Sequence, residues 1–502
     1  MRALRPLLSL AAVLALTASA AGGATFWVAT DGDDGTGDGS SGMPWATIEH
    51  ALGAVPDESL ILVRPGTYQG RVHLDGRFAV GVTVRSELPY RARLRHDATV
   101  VTCFYGQGIA LEGFDIAHDG AGAGGLVIQV QDLLDGADRV ERITLRDNVI
   151  HDSWNNDLLK VNNGAGDVLV EGNMFYNQEG SDEHIDVNSV TDVVVRDNVF
   201  FNDFEGSGRP NGNDTSSYIV IKDSNAGDDG ILGSERISVR RNVFLHWQGS
   251  TGSNFVLLGE DGQPFYEARD VLVENNLMLG DSGNTMRASF GVKGCRDVVF
   301  RHNTVVGDLP ALAYAMRLNL EGANQIVDNV SFRHNVWPDP TGTMGATAGG
   351  GGNDFSDTPP GETQSWVLER NLYWNGAQPI PEDPGELINY TDDAQRIVAD
   401  PQLPAATGIT LPRWLPGPAL FADGSTSIRQ VFESLVALYG TFPAASPLRD
   451  GALPGDSPPD DILGLPRDAS PDLGAWEWRA PQWIFGDGFE SGDTAAWTTT
   501  VG

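Results

Sequence analysis

The chain reads as all-β, a right-handed parallel β-helix with an N-terminal helical cap and an irregular C-terminal closing segment. Three observations predict this. A short unit, apolar-x-apolar-x-x-Asn-apolar, recurs along more than half the chain. It ends at Asn148, Asn173, Asn198, Asn242, Asn276, Asn303 and Asn335, with a contracted copy at Asn371. The tightest copies lie about 25 residues apart, and later spacings stretch by insertion, the mark of a solenoid. Each unit also holds three strand-like pieces: the alternating run before the Asn, an apolar pair after it, and a third run that carries a lysine in three of the copies.

Composition narrows the classes. The 502 residues carry a formal net charge of −35, which disfavours nucleic acid as a partner. Arg2 and Arg5, the apolar run 7–16 and Ala18-Ser19-Ala20 read as a secretory signal cut near Ala20. The expected product is an exported protein, secreted, periplasmic or at the cell surface. No other stretch reads as a membrane span, and a monomer is expected. Cys103 and Cys295 fall many coils apart in a solenoid, so no bridge between them is expected. The expected organisation is a signal peptide over 1–20, a cap with first strands over 21–75, the β-helix over 76–375, a closing segment over 376–478 and a tail over 479–502.

Taken in order, residues 26–72 open with a strand, a loop rich in Asp31, Asp33, Asp34 and Asp38, and a helix over about 46–54. A helix here would cover the open end of the core. The Asp-rich loop is a candidate Ca²⁺ site or a plain solvated loop. The repeats follow. Their asparagines fall at bends, where an amide can bond the coils above and below and satisfy buried backbone. Insertions at 202–217 and 223–235 flank the lysine-type strand and predict walls beside it. Beyond Asn371, Pro-rich stretches 379–384 and 412–418 are expected to wrap the solenoid end, with a helix over 428–439.

The cap, the Asn-bearing repeats and the segment running to Asp472-Leu-Gly-Ala-Trp476-Glu resemble the pectate-lyase-like superfamily of secreted β-helix proteins. The likeness spans about 26–478. It implies a groove over one sheet that binds an acidic polysaccharide. Lyases of that group use a base to take the C5 proton of a uronate, while Ca²⁺ or Arg neutralises the adjacent carboxylate.

The candidate site follows from alternation on the third strand of each coil. Lys160, Lys222 and Lys293 are the only lysines, against thirty arginines, and each lies between apolar neighbours. Lysine can be deprotonated near neutral pH when other cations crowd it, which suits a base. Outward positions are read as Lys160 and Asn162, then His184, Asp186 and Asn188, then Tyr218, Val220 and Lys222, and further on Lys293, Arg317 and Asn319. The assignment is Lys222 as base, or Lys160 in its place. Asp182, Glu183 and Asp186 are the Ca²⁺ ligands. Lys293, Arg317, Asn162 and Asn188 bind substrate.

Two other readings stay open. A non-catalytic glycan-binding or adhesive solenoid would use the same strip with Trp154 and Trp247 for stacking. A glycoside hydrolase would use an aspartate pair such as Asp228-Asp229, although the motifs Asn-Thr-Asp, Gly-His-Gly and Arg-Ile-Lys of β-helix polygalacturonases are missing.

Overall fold

A computed structural model describes residues 23–179, 183–210, 217–225, 227–248, 254–280, 288–307, 314–344 and 355–480. The expected signal peptide, and the expected tail from residue 481 on, lie outside them. The described residues form three long sheets of twelve, ten and twelve strands, every neighbour parallel. Strand order advances by one coil at a time within each sheet, and the connection is right-handed. The fold is a right-handed parallel β-helix.

One coil shows how the sequence makes it. Glu141–Arg146 lies in the first, asparagine-side sheet, with Ile143 and Leu145 inward and Thr144 outward. The chain bends at Asp147, which takes a positive φ of 54°, and Asn148 follows. Val149–His151 enters a second sheet, Leu159–Asn162 a third, and Gly166–Glu171 begins the next coil. The residue before every ladder asparagine is left-handed: Asp147, Gly172, Asp197, Arg241, Asn275, His302, His334 and Arg370.

The asparagines do what their spacing predicts. The backbone N–H of Asn148 donates to Asn173 Oδ1 at 2.9 Å, that of Asn173 to Asn198 Oδ1 at 2.8 Å, and that of Asn198 to Asn242 Oδ1 at 3.1 Å. The run continues through Asn276, Asn303 and Asn335 to Asn371, whose N–H ends on Asp393 Oδ2 at 2.8 Å. All eight side chains are buried, so the ladder satisfies bend amides that water cannot reach.

The interior is one continuous apolar core running from Val28 to Ile388. Aromatic rings stack along it coil by coil, Phe175 on Phe200 at 5.1 Å and Phe200 on Phe244 at 4.8 Å. The helix Ile48–Ala54, capped by Thr47, packs Ile48, Ala51 and Leu52 into the N-terminal end of this core. The nearby aspartates serve their own loop. Asp33 accepts from the amides of Gly35 and Thr36, Asp38 from Ser40, and Asp34 from Ala46 and Thr47. The Asp-rich loop is therefore a set of side-chain-stabilised turns. Among the described residues it brings together no group of three metal-ligating side chains.

The closing segment differs from expectation in where it lies. It does not simply wrap the end. Ile428–Leu435, extended by one wide turn over 436–440, lays Ile428, Val431, Phe432 and Leu435 against the outer face of the second sheet. Val149, Met174, Tyr176, Val199 and Phe201 are the facing residues, which explains why that sheet is apolar on both sides. The segment reaches back to the early coils, where Ile428 N–H donates to the Tyr90 hydroxyl at 3.3 Å. No helix of the described residues is long and apolar enough to cross a membrane. Cys103 and Cys295 are both buried and free.

Candidate active face

The ten-stranded sheet carries the lysines. Register places its outward residues in two columns. One runs Gln129, Lys160, Asp186, Val220, Leu257, Gly291, Arg317, Asp357. The other runs Gln131, Asn162, Asn188, Lys222 and, two coils on, Lys293 and Asn319. The alternation expected inside each strand holds. It fails just before the strands. His184 and Tyr218 lie where the chain is still turning inward, and both are wholly buried. Their rings pack at 4.6 Å, and His184 Nε2 meets Asn202 Oδ1 at 3.0 Å. Burial drives the His184 imidazole down to about 3, so it stays neutral in the core. Trp247 is also core, edge-on to Tyr218 at 5.1 Å, and cannot stack on a sugar.

At the centre of the face, Asp157, Glu183 and Asp186 offer carboxylate oxygens that all lie within 4.8 Å of one another. Two adjacent coils build the group. Asp157 and Glu183 end the loops that enter Leu159–Asn162 and Ile185–Asn188, and Asp157 Oδ1 accepts from Glu183 N–H at 2.8 Å. Asp186 sits one register step from Lys160. All three side chains are buried. Burial, then the charge of Asp186, pushes the Asp157 carboxyl up to about 7. Burial, then Asp157 and Asp186, holds the Glu183 carboxyl well above the usual range. Asp186 Oδ1 is buried with no hydrogen-bond partner. Three crowded hard oxygen donors, one of them orphaned, fit a divalent cation such as Ca²⁺. Asp182, expected among the ligands, lies outside the described residues. Asp157 takes a place in the set.

Two lysines close on this group. Lys160 Nζ donates to Asp186 Oδ2 at 2.6 Å. Lys222 Nζ donates to Glu260 Oε2 at 2.6 Å and stands 3.8 Å from both Asp186 Oδ2 and Asp261 Oδ2. The expected crowding by cations is not what surrounds them. Burial alone would lower the Lys160 ammonium, but Asp186 and Asp157 outweigh it and raise it. Burial likewise opposes charge on Lys222, and Asp186, Glu260 and Glu183 raise it far more. Both lysines are ammonium groups in this arrangement.

The remaining predicted residues are spread out. Lys293 pairs with Glu321 and Arg317 Nε with Asp357 Oδ2 at 2.6 Å, two and three coils from Lys222. Asn188 is engaged with Ser224, whose N–H it accepts at 2.9 Å. Asn162 keeps a buried Oδ1 without a partner. Asp229 accepts from Ile231 N–H at 2.9 Å within its own loop, and Asp228 points to solvent, so these two do not form a catalytic pair. Trp154 is half-buried beneath Arg209, whose guanidinium lies 4.1 Å from its ring. Sequence reasoning gave little weight to Asp157, Glu260 and Glu267. The usable signal was that Asp157 precedes its strand by the same step as Glu183.

No protein-family model matches this chain, and no curated protein does. Solved structures share its architecture. Pectate lyase Pel9A is 14% identical, with 91% of this chain and 96% of that one covered, at a TM-score of 0.48. A GH136 lacto-N-biosidase from Eubacterium ramulus is 10% identical over 75% and 67% of the two chains, at 0.47. The A-module of the Azotobacter vinelandii mannuronan C-5 epimerase AlgE4 is 16% identical over 70% and 93%, at 0.41. This chain is a parallel β-helix protein. The likeness is one of fold, and chemistry has to be argued from the face itself.

Proposed function

We propose that the lysine-bearing sheet is the active face of an exported polysaccharide lyase that cleaves a uronate-containing glycan by β-elimination. The observation that supports it is the buried Asp157–Glu183–Asp186 group set directly against two lysines. A divalent cation held there would neutralise a uronate carboxylate and acidify its C5 proton. Lys222 is the base, with Lys160 the alternative, and either must give up its proton before it can take the one at C5. Lys293 and Arg317 bind uronates farther along by exchanging Glu321 and Asp357 for substrate carboxylates.

The charge balance supports a metal-dependent reading. Every lysine on this face already holds a carboxylate, and the carboxylates outnumber the cations. A polyanion meets net repulsion unless cations are bound first. One observation favours a second reading, a glycoside hydrolase. Burial first, then neighbouring carboxylates, raises the Asp157 and Glu183 carboxyls above their usual range, which suits a general acid.

The test is incubation with several uronate polymers and neutral glycans, with Ca²⁺ and with chelator. Absorbance of the unsaturated product and reducing ends are followed together. Absorbance lost on chelation and in Lys222→Ala supports the proposal. Loss only in Lys160→Ala moves the base. Reducing ends without absorbance replace lyase by hydrolase. Neither signal from folded protein leaves a glycan-binding face.

A further inference from the structure

The loop that brings Glu260 to Lys222 is not held by its own coil alone. It follows strand Asn254–Leu258 and starts at Gly259, whose φ of +75° and contact with the next strand admit no side chain, because a Cβ there would sit 1.9 Å from Lys293 O. The coil that carries Lys293 turns at once through Gly294 into Arg296–Arg301, with no loop of its own. That leaves room for the loops of the coils on either side to meet. Gly262 and Gly322, both left-handed, lie against each other, and a Cβ on Gly322 would meet Gly262 O at 2.9 Å. Ala323 N–H donates to Gly262 O at 2.8 Å.

Glu267 joins the two. It is wholly buried. One carboxylate oxygen accepts from the amides of Glu260 at 2.9 Å and Asp261 at 3.1 Å. The other accepts from Gln263 N–H at 3.1 Å and from Asn324 Nδ2 at 2.8 Å. Asn324 Oδ1 in turn accepts from the amide of Glu321 at 3.0 Å. One buried carboxylate thus fixes the backbone of Glu260, which holds Lys222. Through Asn324 it also fixes the backbone of Glu321, which holds Lys293. A buried carboxylate with four donors is a rigid joint, since losing any one leaves charge unsatisfied.

We propose that Glu267 is a positioning residue that locks the Glu260 and Glu321 loops into one clamp, so that Lys222 and Lys293 are set together. Substrate engaged at the Lys293 end therefore bears on the geometry at Lys222 two coils away. The inference rests on reading the lysine face as the working face, but its test needs no substrate.

The chain contains only three lysines, so lysine labelled with ¹³C at Cε gives three side-chain signals in the full-length protein. They are assigned with Lys160→Arg, Lys222→Arg and Lys293→Arg. Asn324→Ala lies in the Glu321 loop and leaves three of the four bonds to Glu267. It is expected to shift the Lys293 and Lys222 signals beyond their line width and to leave Lys160 in place. Glu267→Gln is expected to do the same. A shift confined to Lys293 in Asn324→Ala overturns the clamp, as does a shift of all three. If Glu267→Gln fails to fold, Asn324→Ala decides alone. If the wild-type chain cleaves no uronate polymer, the lyase proposal falls, and the lysine signals still decide the clamp.

Discussion

His334 Nδ1 donates to His302 Nε2 across 3.1 Å, and both rings are buried between the coils and the closing segment. The tautomers are forced. His302 Nδ1 faces Gly474 O at 3.2 Å and must carry the proton, while His334 Nε2 accepts from Leu453 N–H at 3.3 Å. All four nitrogens are used, and an added proton has to break a bond. Arg301, Arg333, Arg370 and Arg467 face the pair and oppose a positive charge, while Asp456 and the Gly474 carbonyl favour one.

Acid is therefore expected to loosen the closing segment. Burial drives His334 down to about 4 and His302 well below its usual value. Depressed histidines leave stability intact above the unfolded value near 6.5. It is lost as pH falls from there toward 4, because the unfolded chain binds more protons in that window. Amide protection at Leu453 and Gly474 should fall across it before the early coils respond. His302→Gln should flatten that slope. Uniform loss over the whole chain would show that the pair is not the trigger.

Asp157→Asn should raise the melting temperature of metal-free protein near pH 8. The Asp157 carboxyl is held up to about 7, so its contribution to stability is present below the unfolded value and lost as pH rises through 7. Ca²⁺ should reverse the order. At a hundredfold excess over its dissociation constant a ligand adds about 2.7 kcal/mol to the wild type, and Asp157→Asn should lose most of that gain. Thermal unfolding with Ca²⁺ and with chelator measures both.

Asn198→Ala should be far worse than an ordinary surface change. Asn198 Oδ1 accepts from the Asn173 backbone at 2.8 Å and from its amide at 3.1 Å, and Asn198 Nδ2 donates to Val170 O at 3.0 Å. Each group left buried and unpaired costs about 1–3 kcal/mol. Urea unfolding should show a loss of several kcal/mol. A loss under 1 kcal/mol would mean that water replaces the amide.

Arg209→Ala should release the loop that borders the active face. The guanidinium is almost fully buried and bonds Asp152 at 2.9 Å, Asn177 O at 3.1 Å and Glu179 at 3.0 Å. Removing one partner of a buried ion pair typically costs about 3–5 kcal/mol, because the partner charge stays behind. Limited proteolysis should cut near residues 203–210 in the variant and not in the wild type. Arg209→Lys should not rescue it, since a point charge cannot replace the planar fork.

Much of this was legible in the residues. Asn148, Asn173 and Asn198 fix the coil length and the bend, because a repeat that must stack on its neighbours leaves its period in the chain. The alternation of Leu159, Lys160, Val161 and Asn162 put Lys160 outside and Val161 inside, as the register shows. The same rule misplaced His184 and Tyr218. Period-two alternation belongs to a strand, and these two residues sit in the turns just before one.

The sequence by itself determined the solenoid, its ladder and which sheet bears the lysines, since those follow from local periodicity. Only the tertiary structure decided what each lysine touches. Asp186 reaches Lys160 from the next coil, Glu260 reaches Lys222 from the next, and Glu321 reaches Lys293 from the next again. A side chain's charge state depends on neighbours about 5 Å away along the stack. Those neighbours lie 26, 38 and 28 residues apart in the chain, with no periodic pattern to announce them.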